Sequence, residues 1–125
     1  MPPMRPPPLT NAEHRIMEVI WTQGSATVSE VVDALEGKDA YTTILTLMRI
    51  LKVKGYLSSR KQGRAFLFVP KVDRETAARK AVHQLLSKFF GGSPSELVLS
   101  FLRQEELTPE VLDAIKQKIA HSKEE

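Results

Sequence analysis

The sequence of 125 residues contains no cysteine. This absence excludes disulfides, cysteine-ligated zinc and a thiol nucleophile, and it fits the reducing cytoplasm, where we expect the protein to act. No apolar run approaches the roughly 18 residues that a membrane-spanning helix needs, so we expect no membrane insertion. The opening residues MPPMRPPPL lack the apolar core of a signal peptide.

The sequence also lacks the residue groupings on which most enzymes depend. The three histidines, His14, His83 and His121, lie far apart on different predicted helices and do not have the spacing of a paired-histidine metal motif. There is no glycine-rich phosphate loop, and no nucleophile is seen beside a base. We therefore expect no enzymatic activity, no metal and no cofactor, and a hydrolase is the most distant interpretation.

Proline is concentrated at the start of the chain, with five prolines in residues 1–8. Because proline fixes φ and has no amide donor, we expect a disordered tail there. The tail is either a leader without a role or an arm that contacts a nucleic-acid groove or a partner.

Three short helices are predicted after the tail. Thr10 with Glu13, and Thr27 with Glu30, have the spacing of capping boxes, in which each side chain satisfies a free amide at a helix start. A third helix is expected to begin around 39–41. Each helix has apolar residues at amphipathic spacing: Ala12, Ile16, Val19 and Ile20; Val28, Val31, Val32 and Leu35; Ile44, Leu47, Met48 and Leu51.

The apolar period changes after Gly55. The segments Tyr56–Arg60 and Ala65–Val69 have β-branched and aromatic content, and Gln62–Gly63 between them predicts the turn of a hairpin. Three helices followed by a hairpin is the order of a winged helix-turn-helix, which we assign to residues 9–71. The predicted fold class is mainly α with a small β-hairpin.

Residues 72–125 are predicted to form a helical dimerisation domain. Asp73, Ser93–Pro94 and Thr108–Pro109 are typical helix starts. The apolar rows of these helices need a cover, either from the same chain or, as we expect, from a second copy in a homodimer. The expected interface residues are Val82, Leu85, Leu86, Phe89, Phe90, Leu97, Val98, Phe101, Leu102, Leu112, Ile115 and Ile119.

Charge is distributed unevenly along the chain. No acidic residue occurs from Ala40 to Val72, a window with seven basic residues, whereas residues 71–125 have nine basic and nine acidic side chains. A positive field on a helix and a hairpin is typical of phosphate binding, although it also occurs on a merely solvated face. Double-stranded DNA is the expected partner, and the expected contacts are Thr27, Ser29, Thr42, Thr43, Thr46, Arg49, Lys52, Arg60, Lys61 and Arg64.

A second interpretation belongs to another functional class. A winged helix can serve as a protein-interaction module within a larger complex. Such a module would keep the apolar stripes but would not need an acid-free basic window.

The order of these patterns resembles the penicillinase-repressor family, the BlaI/MecI/CopY group of bacterial winged-helix repressors. The likeness covers roughly residues 9–121 and rests on LTNAEHRIMEVIWTQGSATVSEVVDAL, AYTTILTLMRILKVKGYL, GRAFLFVPKVDRE and FFGGSPSELVLSFLRQEELTPEVLDAI. The resemblance implies a homodimer that binds a palindromic operator and blocks transcription. The recognition helix would match residues 41–54, the wing 57–69 and the dimerisation helices 73–121.

The resemblance also implies a route of release. In the antibiotic-responsive branch, a membrane sensor with a metalloprotease domain leads to cleavage at an Asn-Phe pair, and the corresponding pair here is Ser100–Phe101. The family often has an Arg where this chain has Ile50. The copper-responsive branch senses metal through C-terminal cysteines, which this chain lacks.

Overall fold

A computed structural model describes residues 7–104 and 106–124 of the chain. Six helices and a two-stranded antiparallel sheet are formed there, which confirms the predicted fold class. In chain order they are α1 Asn11–Gln23, α2 Val28–Ala34, α3 Tyr41–Lys54, β1 Leu57–Gln62, β2 Ala65–Pro70, α4 Arg74–Phe89, α5 Pro94–Arg103 and α6 Pro109–Glu124.

Both predicted capping boxes are present. The hydroxyl of Thr10 accepts a hydrogen bond from the Glu13 amide at 3.1 Å, and the Thr10 amide donates to the Glu13 carboxylate at 2.8 Å. Thr27 and Glu30 make the same pair of bonds at the start of α2. The helix α3 differs, because Ala40 stands at its N-cap and makes no side-chain bond to the first turn.

The hairpin turn lies one residue later than predicted. Gln62 pairs with Ala65, so the two-residue loop is Gly63–Arg64 and not Gln62–Gly63. Gly63 has a φ of 62°, which suits the first loop position of a type II′ hairpin turn. The physical reason for the shift is that pairing continues through Lys61 and Gln62, whose side chains remain in solvent and do not oppose strand formation.

One core joins α1, α2, α3 and the hairpin. A short bridge pairs Ala26 with Phe68, so the segment before α2 lies against β2 as a third extended segment. Val19 and Leu47, two members of the predicted stripes, are only half-buried at the edge of this core. The buried members are Ile16, Met17, Ile20, Ala26, Val28, Val31, Ile44, Met48, Leu51, Tyr56, Leu57 and Phe68.

Trp21 fixes the start of α4. Its indole Nε1 donates to the Val72 carbonyl at 2.8 Å, and the Arg74 guanidinium lies 5.5 Å from the centre of its ring. Arg74 also donates to the Glu18 carboxylate at 2.8 Å. A cation over an aromatic face is attracted by the ring quadrupole, so the first turn of α4 is held to α1 by three kinds of contact.

The chain divides into two compact units within α4, one ending at Ala81 and the other beginning at Val82. In the second unit, Ser93 and Thr108 cap α5 and α6 as predicted, and the Gly92 amide closes the end of α4 by donating to the Leu86 carbonyl at 2.8 Å. Among the residues described there, only the Leu86 side chain is buried. The domain boundary after residue 71 stays a prediction.

Candidate nucleic-acid interface

The helix α3 presents two different faces. Its core face consists of Ile44, Met48 and Leu51, all buried. The opposite face contains four of the five predicted contact residues of this helix, and all four are exposed: Thr42, Thr43, Thr46 and Arg49. Sequence and structure therefore agree on which side of the helix is open to a partner.

The hydroxyl of Thr46 is partly committed within the helix. It donates to the Thr42 carbonyl at 2.9 Å. A hydroxyl that donates in this way keeps its acceptor lone pairs, so Thr46 is suited to receive a hydrogen bond from a base amino group. Arg49, three residues further along, supplies donors only.

Two exposed apolar residues on the same face were absent from the predicted contact set. Ile50 and Val53 follow Thr46 by four and seven residues, and their exposed fractions are 39% and 88%. Four- and seven-residue spacings place side chains on one helix face. The helical period of the sequence already places both residues on this face, whereas the predicted contacts are all polar.

Lys52 lies at the edge of α3 beside the hairpin. Its Nζ donates to the Ser59 hydroxyl of β1 at 2.7 Å. This bond holds a predicted contact residue of the helix against the first strand of the wing, and the Lys52 side chain remains exposed.

The wing carries its cations on both of its faces. Arg60, Lys61 and Arg64 are exposed, as predicted. Because successive side chains of a strand point to opposite faces, Arg60 and Lys61 are directed to different sides of the hairpin. Arg64 lies in the two-residue loop. The three side chains therefore do not all point to the same side of the wing.

Among the described residues, Lys54 is the one member of the basic window that is tied to a carboxylate. Its Nζ lies 2.6 Å from the Glu13 carboxylate, which is almost fully buried, and 3.3 Å from the Pro8 carbonyl. Burial raises the pKa of Glu13. The hydrogen bond and positive charge of Lys54, together with the hydrogen bonds of Thr10, outweigh burial and leave that pKa below its ordinary value. Glu13 therefore both caps α1 and serves as a buried partner of Lys54.

The same corner holds the end of the proline segment. The Tyr56 hydroxyl donates to the Pro7 carbonyl at 2.9 Å. The sequence predicts a disordered tail over residues 1–8, and this stays a prediction; within that range the carbonyls of Pro7 and Pro8 accept these side-chain bonds. The rest of the predicted tail lies outside the described residues.

Thr27 and Ser29 at the start of α2 are placed differently from each other. The amide and hydroxyl of Thr27 are both bonded to Glu30. An anion at this position would have to approach a carboxylate, which disfavours a phosphate role for Thr27. Ser29 is exposed. Both phosphate contacts stay predictions.

The apolar rows predicted to form an interface are largely open in the single chain. Phe90, Leu97 and Leu112 are half-buried and Leu86 is buried. The remaining members keep between 40% and 74% of their surface exposed: Val82, Leu85, Phe89, Val98, Phe101, Leu102, Ile115 and Ile119. Large exposed apolar surfaces of this kind are typical of association sites.

The described part of the chain contains no helix that is both long and apolar enough to cross a membrane. Over residues 7–104 and 106–124 there is likewise no group of three or more acidic, histidine or cysteine side chains positioned to hold a metal ion.

Comparison with known proteins assigns the chain to one family. The family model described as "Penicillinase repressor" matches residues 9–121. The chain belongs to the penicillinase repressor family. The penicillinase repressor of Bacillus licheniformis is 31% identical over 113 residues, which are 89% of this chain and 88% of that protein.

Two further relatives agree with this membership. The methicillin resistance regulatory protein MecI of Staphylococcus aureus (strain N315) is 23% identical over 110 residues, or 86% of this chain and 89% of that protein. A solution structure of the DNA binding domain of the repressor BlaI is 32% identical with a TM-score of 0.52, covering 58% of this chain and 90% of that domain.

Membership of the penicillinase repressor family confirms several expectations. The protein is a DNA-binding repressor of the BlaI type with a winged-helix domain, and it is not an enzyme. The Ser100–Phe101 bond, at which cleavage stays a prediction, lies inside α5, and the Ser100 carbonyl accepts a hydrogen bond from the Gln104 amide at 3.3 Å.

Proposed function

We propose that the protein is a homodimeric repressor that acts in the cytoplasm by binding a palindromic DNA operator. The observation that carries this proposal is the exposed face of α3 and the hairpin, where basic side chains lie in a window without any acidic residue. A positive field attracts the phosphates of DNA, and each phosphate that the protein neutralises releases a counterion.

Base contacts are assigned to the exposed face of α3. Thr42, Thr43, Thr46 and Arg49 would meet base edges or nearby phosphates in the major groove, where each base pair presents its own pattern of donors and acceptors. The wing residues Arg60, Lys61 and Arg64, with Lys52, would hold the flanking backbone. Such contacts fix the register of the protein but carry no sequence code.

Dimerisation is assigned to the second unit. Its helices carry apolar side chains that stay exposed in a single chain, most strongly Phe89 at 74%. A second copy of the chain presents the same apolar surface, so the two surfaces can bury each other in a symmetric dimer. Two linked DNA-binding units reach half-sites about one helical turn apart, and linkage makes the second contact effectively intramolecular.

Release by proteolysis in the dimerisation segment, after an antibiotic or cell-wall signal relayed by a membrane sensor, extends the proposal. A protease needs an extended substrate, whereas Ser100–Phe101 lies within a hydrogen-bonded helix. Cleavage at this pair would therefore require α5 to open locally, and it would remove the linkage between half-sites without touching α3.

Selection of bound sequences from a random DNA pool, followed by titration against salt, tests the function. We expect a palindrome and a steep fall of affinity with salt concentration. A shallow salt dependence with no enriched sequence would instead favour a protein-interaction module.

A further inference from the structure

The exposed apolar residues of α3 lie on the face proposed to read DNA. Val53 follows Arg49 by four residues and Thr46 by seven, so it continues their row along the helix, and Ile50 lies beside that row. With an exposed fraction of 88%, Val53 is the most exposed of the large apolar side chains described in the chain. It makes no contribution to the core that would explain its presence.

The surroundings of this pair define what can cover it. Arg49 and Lys52 adjoin it in sequence, the wing cations follow, and the segment from Ala40 to Val72 has no acid. A covering partner must therefore be strongly anionic and still offer apolar groups at its surface. Duplex DNA meets both conditions, because the thymine C5-methyl group lies in the major groove between two phosphate backbones.

The spacing of the pair suits neighbouring base pairs. Three residues along a helix rise by about 4.5 Å, and successive base pairs are about 3.4 Å apart. Side chains at Ile50 and Val53 can thus contact methyl groups on one base pair or on two adjacent ones.

We propose that Ile50 and Val53 form an apolar reading strip that recognises thymine methyl groups in each half-site. This inference rests on the proposed function and adds a specificity element to it. Thr42, Thr46 and Arg49 read hydrogen-bonding groups, whereas the strip distinguishes thymine from any base that lacks the methyl group.

The test uses the full-length protein and the DNA sequence selected from the random pool. Each thymine of a half-site is replaced in turn by uracil, which removes only the C5-methyl group, and affinity is measured for the wild type, Ile50→Ser and Val53→Ser. Each buried methyl is worth about 0.8 kcal/mol, which corresponds to roughly a fourfold change in affinity.

We expect the wild type to lose about fourfold in affinity at one or two uracil positions. The serine variants should bind thymine DNA more weakly and should no longer respond to uracil at the matching position. The matched control is Val53→Ile, which keeps the apolar contact and should keep the response. The salt slope should be unchanged in all variants, because no ionic contact is removed.

Two results would overturn the inference and leave the proposed function standing: equal uracil sensitivity in the wild type and the serine variants, or no sensitivity in a wild type that binds its palindrome. A serine variant with unchanged DNA affinity but an altered sedimentation coefficient would assign the strip to contact between protein copies. A wild type that selects no sequence would overturn the inference together with the proposed function.

Discussion

At the residue scale, Arg49 is the strongest candidate for a base contact. It is exposed and lies opposite the buried residues Ile44, Met48 and Leu51. We expect Arg49→Ala to weaken operator binding by roughly 1–3 kcal/mol and to relax preference at one base pair. A gel-shift titration against the operator and its single-base variants measures both effects, and unchanged affinity and selectivity would remove Arg49 from the reading face.

The buried pair of Glu13 and Lys54 leads to a prediction about stability. Glu13→Gln removes a charge partner from Lys54, whose side chain is 19% exposed. We expect a loss of about 1–3 kcal/mol in the free energy of unfolding, measured by denaturant titration. The double variant Glu13→Gln with Lys54→Met is the control, because it removes both charges, keeps an acceptor for the Thr10 amide and should recover most of the loss. Equal stability of the wild type and Glu13→Gln would contradict this account of the pair.

The same pair predicts a dependence of stability on pH. Burial acts to raise the pKa of Glu13, but the bonds from Lys54 and Thr10 hold it below its ordinary value in the folded state. The stabilisation is therefore complete above the unfolded-state pKa and is lost as the pH falls through the folded-state value. Acid titration of unfolding should show a smaller loss for Glu13→Gln than for the wild type.

At the residue scale, the sequence predicts the exposure of a side chain where the period of a single helix determines it. The exposure of Thr42, Thr46 and Arg49 follows from the period of α3 alone. The contact between Glu13 and Lys54 joins residues 41 positions apart. No local pattern spans that separation, so the sequence does not reveal that Lys54 is paired with a carboxylate.

At the element scale, the wing is expected to provide affinity rather than selectivity. Arg60→Ala with Arg64→Ala should weaken binding to all DNA alike and lower the salt slope, because fewer phosphates are neutralised. Affinity measured at several salt concentrations on operator and random DNA tests this prediction. The exposed Lys38→Ala, in the loop before α3, is the matched control and should leave the slope unchanged. A double variant with the wild-type slope would exclude the wing from the interface.

Element boundaries were predictable where a side chain marks them. Thr10, Thr27, Asp73, Ser93 and Thr108 each accept the expected bond at a helix start. The observed hairpin loop lies one residue beyond the predicted one. Gly63 belongs to both the predicted loop, Gln62–Gly63, and the observed loop, Gly63–Arg64, and the pairing of Gln62 with Ala65 decides between them. Such pairing is a property of both strands and is not encoded at the turn.

At the scale of the whole molecule, association is expected to depend on the apolar rows of the second unit. Phe89→Asp should yield monomers in sedimentation velocity, since it places an unpaired charge in an apolar interface. Phe89 is 74% exposed in the single chain, so the substitution should leave the fold of one chain intact. The neighbouring exposed Lys88→Asp is the matched control and should stay dimeric. Dimers of Phe89→Asp persisting at micromolar concentration would count against this interface.

The division of the chain leaves little mark on the sequence, and the predicted domain boundary stays a prediction. The prediction placed a boundary after residue 71, where helical periodicity resumes. In the structure, Trp21 and Arg74 hold the first turn of α4 to α1, and the compact units separate only after Ala81. A helix that begins in one unit and ends in the other has no compositional mark at the point of division.

The bond between Lys54 and Glu13 also bears on how this repressor could be redesigned. A library that randomises α3 to obtain a new DNA specificity would, at position 54, mostly produce chains with an unpaired buried carboxylate. Those chains would be less stable, and their smaller folded fraction would lower the measured binding whatever their specificity. If Lys54 is held constant, or varied only together with Glu13, differences in binding between library members reflect their specificity and not their stability. The same argument implies that, over evolutionary time, these two positions change together or not at all.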